Sequence, residues 1–406
     1  MRTVAYLTDV EGRWDKLVDF CVGNSAVTLD ANGLHVAPNC VFVFGGDAID
    51  RGPSGRKFVA TLLAAKRAQP DQVVLLAGNR DINKLRLARE LTGAPPPRLP
   101  DEVKNGPRGE LLRAILSQTM GARAAFDHRR AELADEGRGF RDDDVVQSYL
   151  DDISPNGPLR DYLSAAVLAH REEETLFLHG GVTQENLGLV PGRAGTSGDV
   201  DSWTAGLNEF YAESMHAYCT NRSAADGTPG WQALVDYQAP KVGSRVNQES
   251  VVYARPTDAL GNPMLPPEPV IKALAGAGIR RVVVGHTPSG DCPALLHDRS
   301  GFELLLADNS YGRLERGSRV TIDEHQVHVA GTTELDTGEQ AHVEYAHTPS
   351  TSPFLGQRDA ATGRLVKAKL ARGDYLTYRA LEGYKVEQIA VSESDLKSAR
   401  LVPPRL

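Results

Sequence analysis

Short apolar runs alternate with amphipathic segments from the first residues of the chain. Val4–Leu7 reads as a buried strand, and Trp14–Cys21 as a helix with Trp14, Leu17, Val18 and Cys21 on one face. Cys40–Phe44 is a second apolar run. Ser54–Ala68 reads as a helix opened by Pro53-Ser54 and closed near Gln69-Pro70, and Val73–Ala77 as a third strand with a charged helix behind it. This order predicts parallel strands joined by crossover helices. Residues 93–165 break the rhythm. They open on Gly-Ala-Pro-Pro-Pro-Arg-Leu-Pro and read as a helical insertion with a charge-dense loop at Arg138–Asp144. A strand returns at Thr175–Leu178, and a second, mixed insertion spans 185–248. Ser250–Tyr253 reads as a strand, Pro269–Gly276 as a helix, and Arg281–Val284 and Phe302–Ala307 as further core strands. From Ser318 the alternation becomes turn-rich and predicts β-hairpins, with short strands at Leu365–Leu370, Tyr375–Arg379 and Tyr384–Ala390. The expected class is α/β, in a mixed α+β arrangement.

Composition narrows the picture. A chain of 406 residues can bury a core without disulfide or metal staples. Hydrophobic content of 41% and charged content of 24% exclude a disordered, collagen-like or coiled-coil chain. No apolar run approaches the ~18 residues of a membrane span, and MRTVAYLTDVEG leads into a strand without a signal-peptide pattern. A net charge of −8 argues against a general nucleic-acid binder. Cys21, Cys40, Cys219 and Cys292 form no CxxC pair, which suits a reducing cytosol. The expectation is a cytoplasmic protein with no membrane or nucleic-acid partner; its oligomeric state is not legible.

Five of the strands run directly into polar clusters: Asp9-Val10-Glu11-Gly12, Gly46-Asp47-Ala48-Ile49-Asp50-Arg51-Gly52, Gly78-Asn79-Arg80-Asp81, His179-Gly180-Gly181 and Gly285-His286-Thr287-Pro288. In α/β sheets ligands bind beyond the carboxyl ends of the strands. Five strands delivering carboxylate, amide and imidazole groups to that edge point to a metal site, with glycines leaving room for the close approach.

In order, these clusters read TDVEG, GGDAIDRG, GNRD, HGGV and GHTP. The set resembles the calcineurin-like metallophosphoesterases, in the branch of the serine/threonine phosphoprotein phosphatases, whose motifs run GDxHG, GDxVDRG, GNHE, HGG and GH(T). The likeness covers about residues 1–92, 172–192 and 250–325, and Asp308-Asn309-Ser310-Tyr311-Gly312 resembles that family's last aspartate-containing turn. The resemblance implies a four-layer sandwich of two mixed β-sheets flanked by helices. Residues 1–335 would form that domain, with insertions at 93–165 and 185–248, and residues 336–406 a β-rich C-terminal extension. It also implies two divalent metal ions, most simply Mn²⁺, with Mg²⁺, Fe or Zn²⁺ as alternatives. Asp9, Glu11 and Asp47 would hold the first, and Asp47, Asn79, His179 and His286 the second. Two such ions about 3.5–4 Å apart clamp a phosphate and acidify a bridging water. Arg51 would grip phosphate oxygens through its planar fork, Asp50 would orient its neighbours, and Arg255 would be a second phosphate arginine.

Two departures matter. The family's GDxHG histidine is Glu11 here, a hard ligand that favours Mn²⁺ or Mg²⁺ over Zn²⁺. The histidine and glutamate of GNHE are Arg80 and Asp81. Arginine stays protonated at neutral pH and cannot act as a general acid, though it can neutralise charge on a leaving group. The expected function is therefore a metal-dependent phosphohydrolase. It would release phosphate from a small phosphorylated metabolite or nucleotide through a metal-bridging hydroxide, preferring phosphoanhydrides and aryl phosphates. The alternatives are a serine/threonine protein phosphatase and a pseudophosphatase that binds a phosphorylated ligand. Trp203, Tyr211 and Trp231 are read as core residues, as are Tyr375, Tyr378 and Tyr384 in a small β module. Histidines outside the clusters, among them His297, His325, His328 and His347, are read as structural.

Overall fold

The computed structural model describes residues 2–324, 326–348 and 353–405. Its strands are β1 (Thr3–Leu7), β2 (Val27–Asp30), β3 (Gly33–Val36), β4 (Cys40–Phe44), β5 (Val73–Leu75), β6 (Ala169–Glu172), β7 (Thr175–Leu178), β8 (Arg281–Val284), β9 (Ala294–His297), β10 (Glu303–Leu306), β11 (Arg319–Ile322), β12 (Val327–Glu334), β13 (Gln340–His347), β14 (Arg358–Asp359), β15 (Leu365–Lys369), β16 (Tyr375–Ala380), β17 (Val386–Val391) and β18 (Leu401–Val402). They form a six-stranded sheet in the order β13-β12-β11-β1-β4-β5 and a five-stranded sheet in the order β6-β7-β8-β10-β9. A third, five-stranded sheet runs β17-β16-β15-β14-β18, and β2-β3 is a separate hairpin. The first two sheets are mixed: β1, β4 and β5 are mutually parallel, as are β7, β8 and β10; antiparallel strands β11, β12 and β13 extend the first sheet on one side only, and β6 and β9 close both edges of the second.

Side chains one residue apart on a strand point to opposite faces, and here each face has its own core. Val4, Tyr6, Val41 and Val43 of the first sheet join Phe177, Val283, Leu295 and Leu305 of the second in one buried cluster. The Tyr6 and Phe177 rings lie 5.7 Å apart across it. The alternate residues Ala5, Leu7, Phe42, Phe44, Leu176, Leu178, Val282 and Val284 belong to a second cluster with the helices. Helices Trp14–Cys21 and Gly55–Ala68 contribute Leu17, Phe20, Phe58 and Leu62 to it, and Val200–Cys219 and Glu268–Gly276 contribute Trp203, Leu207, Val270 and Leu274. Burial on both faces is why the strands read as unbroken apolar runs.

Three local expectations are corrected. Ser250–Tyr253 is a turn and not a strand: the Ser250 hydroxyl accepts from the backbone N–H of Val252 and Tyr253, each at 3.1 Å, a local bond that competes with a ladder. Asp142–Asp144 belong to a helix, Asp142–Ile153, whose first turn collects three carboxylates at the positive end of its dipole. The hairpin β2-β3, β6 and β9 are strands that the apolar pattern did not announce. Trp203, Tyr211 and Trp231 are buried, with the Trp203 indole donating to the Leu189 carbonyl. His325 lies outside the described residues.

The hairpin β12-β13 crosses positions 335–339 and completes the first sheet. β15 packs against β9 and β13, and Val366, Ala368, Leu370 and Leu376 enter the intersheet core. No helix among the described residues is long and apolar enough to cross a membrane.

At the junction with the third sheet, Arg281 and Glu303 form a fully buried ion pair, and His347 Nε2 lies 3.4 Å from Glu303 Oε1. The His347 ring packs 5.1 Å from His297. Burial, and then the neighbouring His347, hold the His297 pKa below its ordinary value. A histidine with a depressed folded pKa contributes stability above its unfolded pKa and loses it as pH falls. Between about pH 7 and about pH 5, the wild type should therefore lose unfolding free energy relative to His297→Gln. Parallel curves for the two proteins in urea titrations would show that His297 is not a source of acid sensitivity.

Candidate metal centre

The five polar clusters lie together at the carboxyl edges of β1, β4, β5, β7 and β8, and Asp308 follows β10. Backbone bonds weave these loops into one layer. Asp9 N–H donates to the Gly46 carbonyl, Glu11 N–H to Asp47 and Arg51 N–H to Glu11, at 2.7–2.9 Å. His286 N–H donates to Asp9 Oδ2 at 3.1 Å, tying the second sheet to the first. Asp9, Glu11, Asp47, Asp50 and His286 all have φ between 51° and 102°. This left-handed region disfavours side-chain-bearing residues, at a cost on the order of 1–3 kcal/mol each, and the woven loops hold it. Two glycines are sterically required. A Cβ at Gly46, where φ is +98°, would lie 2.8 Å from His179 Nδ1, and one at Gly285 would lie 2.4 Å from Asp9 Oδ2.

One oxygen or nitrogen each from Asp47, His179 and His286 converge within 4.8 Å of one another. Asn79 Oδ1 joins them, 3.1 Å from His179 Nε2 and 2.8 Å from His286 Nδ1. His179 Nδ1 donates to the Gly45 carbonyl at 2.7 Å, so its Nε2 confronts two oxygen acceptors, Asn79 Oδ1 and, at 3.3 Å, Asp47 Oδ1. A proton or a cation at Nε2 would meet both acceptors. Burial opposes that charge, but the Asp47 carboxylate drives the His179 pKa up to about 10. His286 goes the other way: burial, and then Arg255, whose Nε donates to its Nε2 at 3.4 Å, hold it well below its ordinary value. Carboxylate, amide and two imidazoles are the donor set of a divalent transition-metal ion, and these four residues fit one.

The residues expected around a first ion are arranged differently. Both Glu11 oxygens are engaged: Oε1 lies 2.6 Å from Arg80 Nε, and Oε2 accepts from Ser310 Oγ at 2.7 Å and from Arg51 Nη1 at 3.2 Å. Arg80 Nε also lies 3.6 Å from Asp47 Oδ2. Asp9 Oδ2 accepts from the Thr8 hydroxyl at 2.6 Å and from His286 N–H. A guanidinium thus sits between the carboxylates that would face that ion. A dication there would have to displace Arg80 from Glu11 and Asp47 or share those carboxylates with it. The Asp9–Glu11–Asp47 set does not fit a metal ion while Arg80 is there.

The other expected residues have distinct surroundings. Arg51 pairs with Glu11 and Glu315 and stacks 3.8 Å over the Tyr311 ring. Asp50 pairs with the fully buried Lys84, whose ammonium also donates to the Arg80 carbonyl. Asp81 serves the backbone: it accepts from the N–H groups of Asp47, Ala48 and Gly78 at 2.9–3.1 Å. Burial, and then the charge of Asp47, raise its pKa to about 7. Arg255 lies beside His286 at the mouth of a cleft that Thr287, Tyr311, Tyr378 and Lys385 also line, so the third sheet walls the approach.

Sequence reasoning did not single out Lys16, Lys84 or Glu315, and it marked Tyr311 only as part of the Asp308–Gly312 turn, without a role. Lys16 Nζ donates to the Asp9 carbonyl at 2.8 Å and to Ser310 Oγ at 3.1 Å. The Tyr311 hydroxyl accepts from Arg80 Nη2 at 3.1 Å. Glu315 reaches Arg51 from 264 positions away. No spacing rule announces such partners. Lys16 lies off the apolar face read at Trp14, Leu17, Val18 and Cys21, so that face gave no signal of it; the buried residues of the helix are Lys16, Leu17 and Phe20.

No family model and no curated protein matches the chain. Among solved structures it is similar to a cold-active protein-tyrosine phosphatase of a psychrophilic Shewanella species, at 15% identity, with a TM-score of 0.44, over 84% of this chain and 80% of that one. It is also similar to a protein serine/threonine phosphatase from Saccharomyces cerevisiae (11% identity, TM-score 0.36, 87% and 81% covered). A third likeness is to a metallophosphoesterase from Sphaerobacter thermophilus (13%, 0.33, 79% and 83%).

The Asp81 contacts lead to a stability prediction. Asp81→Ala leaves three buried N–H groups without acceptors and should lower the unfolding free energy by about 3 kcal/mol, measured by urea denaturation. A loss below about 1 kcal/mol would show that the loops hold themselves.

Proposed function

We propose that the chain is a metal-dependent phosphohydrolase acting on a small phosphorylated metabolite or nucleotide. The observation that carries this reading is the convergence of Asp47, Asn79, His179 and His286, with His179 Nε2 turned toward oxygen acceptors and three arginines around the cluster. These four residues would hold the ion, for which Mn²⁺ is the first choice. A bound divalent ion supplies Lewis acidity toward a phosphoryl oxygen and lowers the pKa of coordinated water.

The protein's own groups do the rest. Gly45 fixes the His179 tautomer through its carbonyl and leaves Nε2 for ligation. Arg51 and Arg80, held by Glu11 and Tyr311, present guanidinium donors beside the cluster. Arg255, at the cleft mouth, is placed for a second phosphate group or for the far side of the transferred one. Hydrolysis forms a bond from water oxygen to phosphorus and breaks the bond to the leaving oxygen. That oxygen departs beside guanidinium groups, which stabilise an anion but do not yield a proton. Asp81 is committed to three backbone N–H groups. Leaving groups already stable as anions, such as phosphate, nucleotide or phenolate, suit this site better than a serine alkoxide.

A second reading, a binding protein for a phosphorylated ligand, is favoured by the Glu11–Arg80 pair, which closes part of the site. Phosphate release from a panel separates the two. The panel holds an aryl phosphate, a nucleoside triphosphate, a dinucleoside polyphosphate, a sugar phosphate and a phosphoserine peptide, each with Mn²⁺, Mg²⁺ or no added metal. Release should require metal, fall at least about 100-fold in Asp47→Asn, and rank anhydrides and the aryl ester first. Phosphoserine turnover equal to the anhydrides would sink the substrate assignment. No release from any substrate would favour the binding protein.

A further inference from the structure

We infer that this chain holds one divalent ion and not two, and that the Arg80 guanidinium stands as the second positive charge of the centre. The inference rests on the metal-dependent reading above and goes further, because it fixes the stoichiometry and gives Arg80 a role.

Three observations carry it. The first is position. Arg80 Nε lies 2.6 Å from Glu11 Oε1 and 3.6 Å from Asp47 Oδ2, between the two carboxylates that would share an ion. The pose is fixed elsewhere: Arg80 N–H donates to Asp47 Oδ1 at 2.8 Å, Nη2 to Tyr311, and the Arg80 carbonyl accepts from Lys84.

The second is charge. Among the described residues, six carboxylates of this layer are at most 5% exposed: Asp9, Glu11, Asp47, Asp50, Asp81 and Asp308. Lys16, Lys84, Arg80 and Arg51 face them, while Glu315 and Arg13 pair at the rim. These cations already meet the carboxylates across the layer, and Arg80 is the one that meets Glu11 and Asp47 together. A second ion beside it would bring a further positive charge into a buried layer, which burial disfavours.

The third is an unused donor. Arg80 Nη1 is buried and has no hydrogen-bond partner among the described residues. A buried guanidinium N–H without an acceptor calls for one. A phosphoryl oxygen brought to the neighbouring ion would supply it, much as a second metal would otherwise grip the phosphate.

The test is metal counting on the full chain. The wild type, Arg80→Gln and Arg80→Lys are loaded with Mn²⁺ and desalted. Manganese per chain is then measured by mass spectrometry, and electron paramagnetic resonance reports whether the ions are coupled. The wild type and Arg80→Lys should each hold about one ion with an isolated-ion spectrum. Arg80→Gln should rise to about two, with the exchange-coupled spectrum of a pair about 3.5–4 Å apart. Two coupled ions in the wild type would overturn the inference and leave the phosphohydrolase reading standing, as would one ion in both the wild type and a folded Arg80→Gln. No bound ion in the wild type would overturn both. If Arg80→Gln fails to fold by circular dichroism, Arg80→Met, which keeps the length of the side chain and Glu11 intact, is counted in its place with the same expected outcomes.

Discussion

Six buried carboxylates in one layer of loops are the constraint that shapes this molecule. An isolated charge is expensive to bury, and every structural peculiarity of the site is a way of meeting that cost. Two lysines with almost no exposure, Lys16 and Lys84, lie under the layer and donate to Asp9, Ser310, Asp50 and the Arg80 carbonyl. Arg51 and Arg80 converge on Glu11, and Asp81 is neutralised by backbone N–H dipoles rather than by a partner ion.

The same layer explains the backbone. Carboxyl groups can meet in one plane only if the loops turn sharply as they leave their strands, and five side-chain-bearing residues take left-handed conformations to do so. Aspartate and histidine tolerate that region better than most residues. Here they are also the residues the chemistry needs, so local conformation and function agree. The sandwich beneath supplies rigidity. The strands β1, β4, β7, β8 and β10 are buried on both faces, so the loop origins are held by two cores at once.

The third sheet ties chain length to specificity. β15 enters the intersheet core, while Tyr378 and Lys385 reach the cleft beside Arg255 and Tyr311. A surface assembled from residues more than a hundred positions apart can change shape at its far wall without disturbing the metal donors. That is a physical reason for the donor residues to be readable from short motifs and the substrate wall not to be.

The sequence by itself determined the parts that depend on neighbours along the chain. Apolar runs bounded by Gly, Asp, Asn and His marked β1, β4, β5, β7 and β8, and ten of the eleven candidate side chains lie just beyond them; Arg255 comes from the turn after Ser250–Tyr253. Ser250–Tyr253 was misread because a serine hydroxyl bonding the next backbone groups has no periodic signature. Strands β2, β3 and β6 escaped because they are short and mixed in character. Only the tertiary structure decided how the charges pair. Arg80 and Asp81 are adjacent in sequence, yet one faces Glu11 and Asp47 while the other holds backbone N–H groups; Glu315 finds Arg51 from across the chain. Motif order says which groups reach the edge of the sheets. Which cation then stands between which carboxylates is set by distances across the fold, because buried electrostatics act through space and leave no pattern along the sequence.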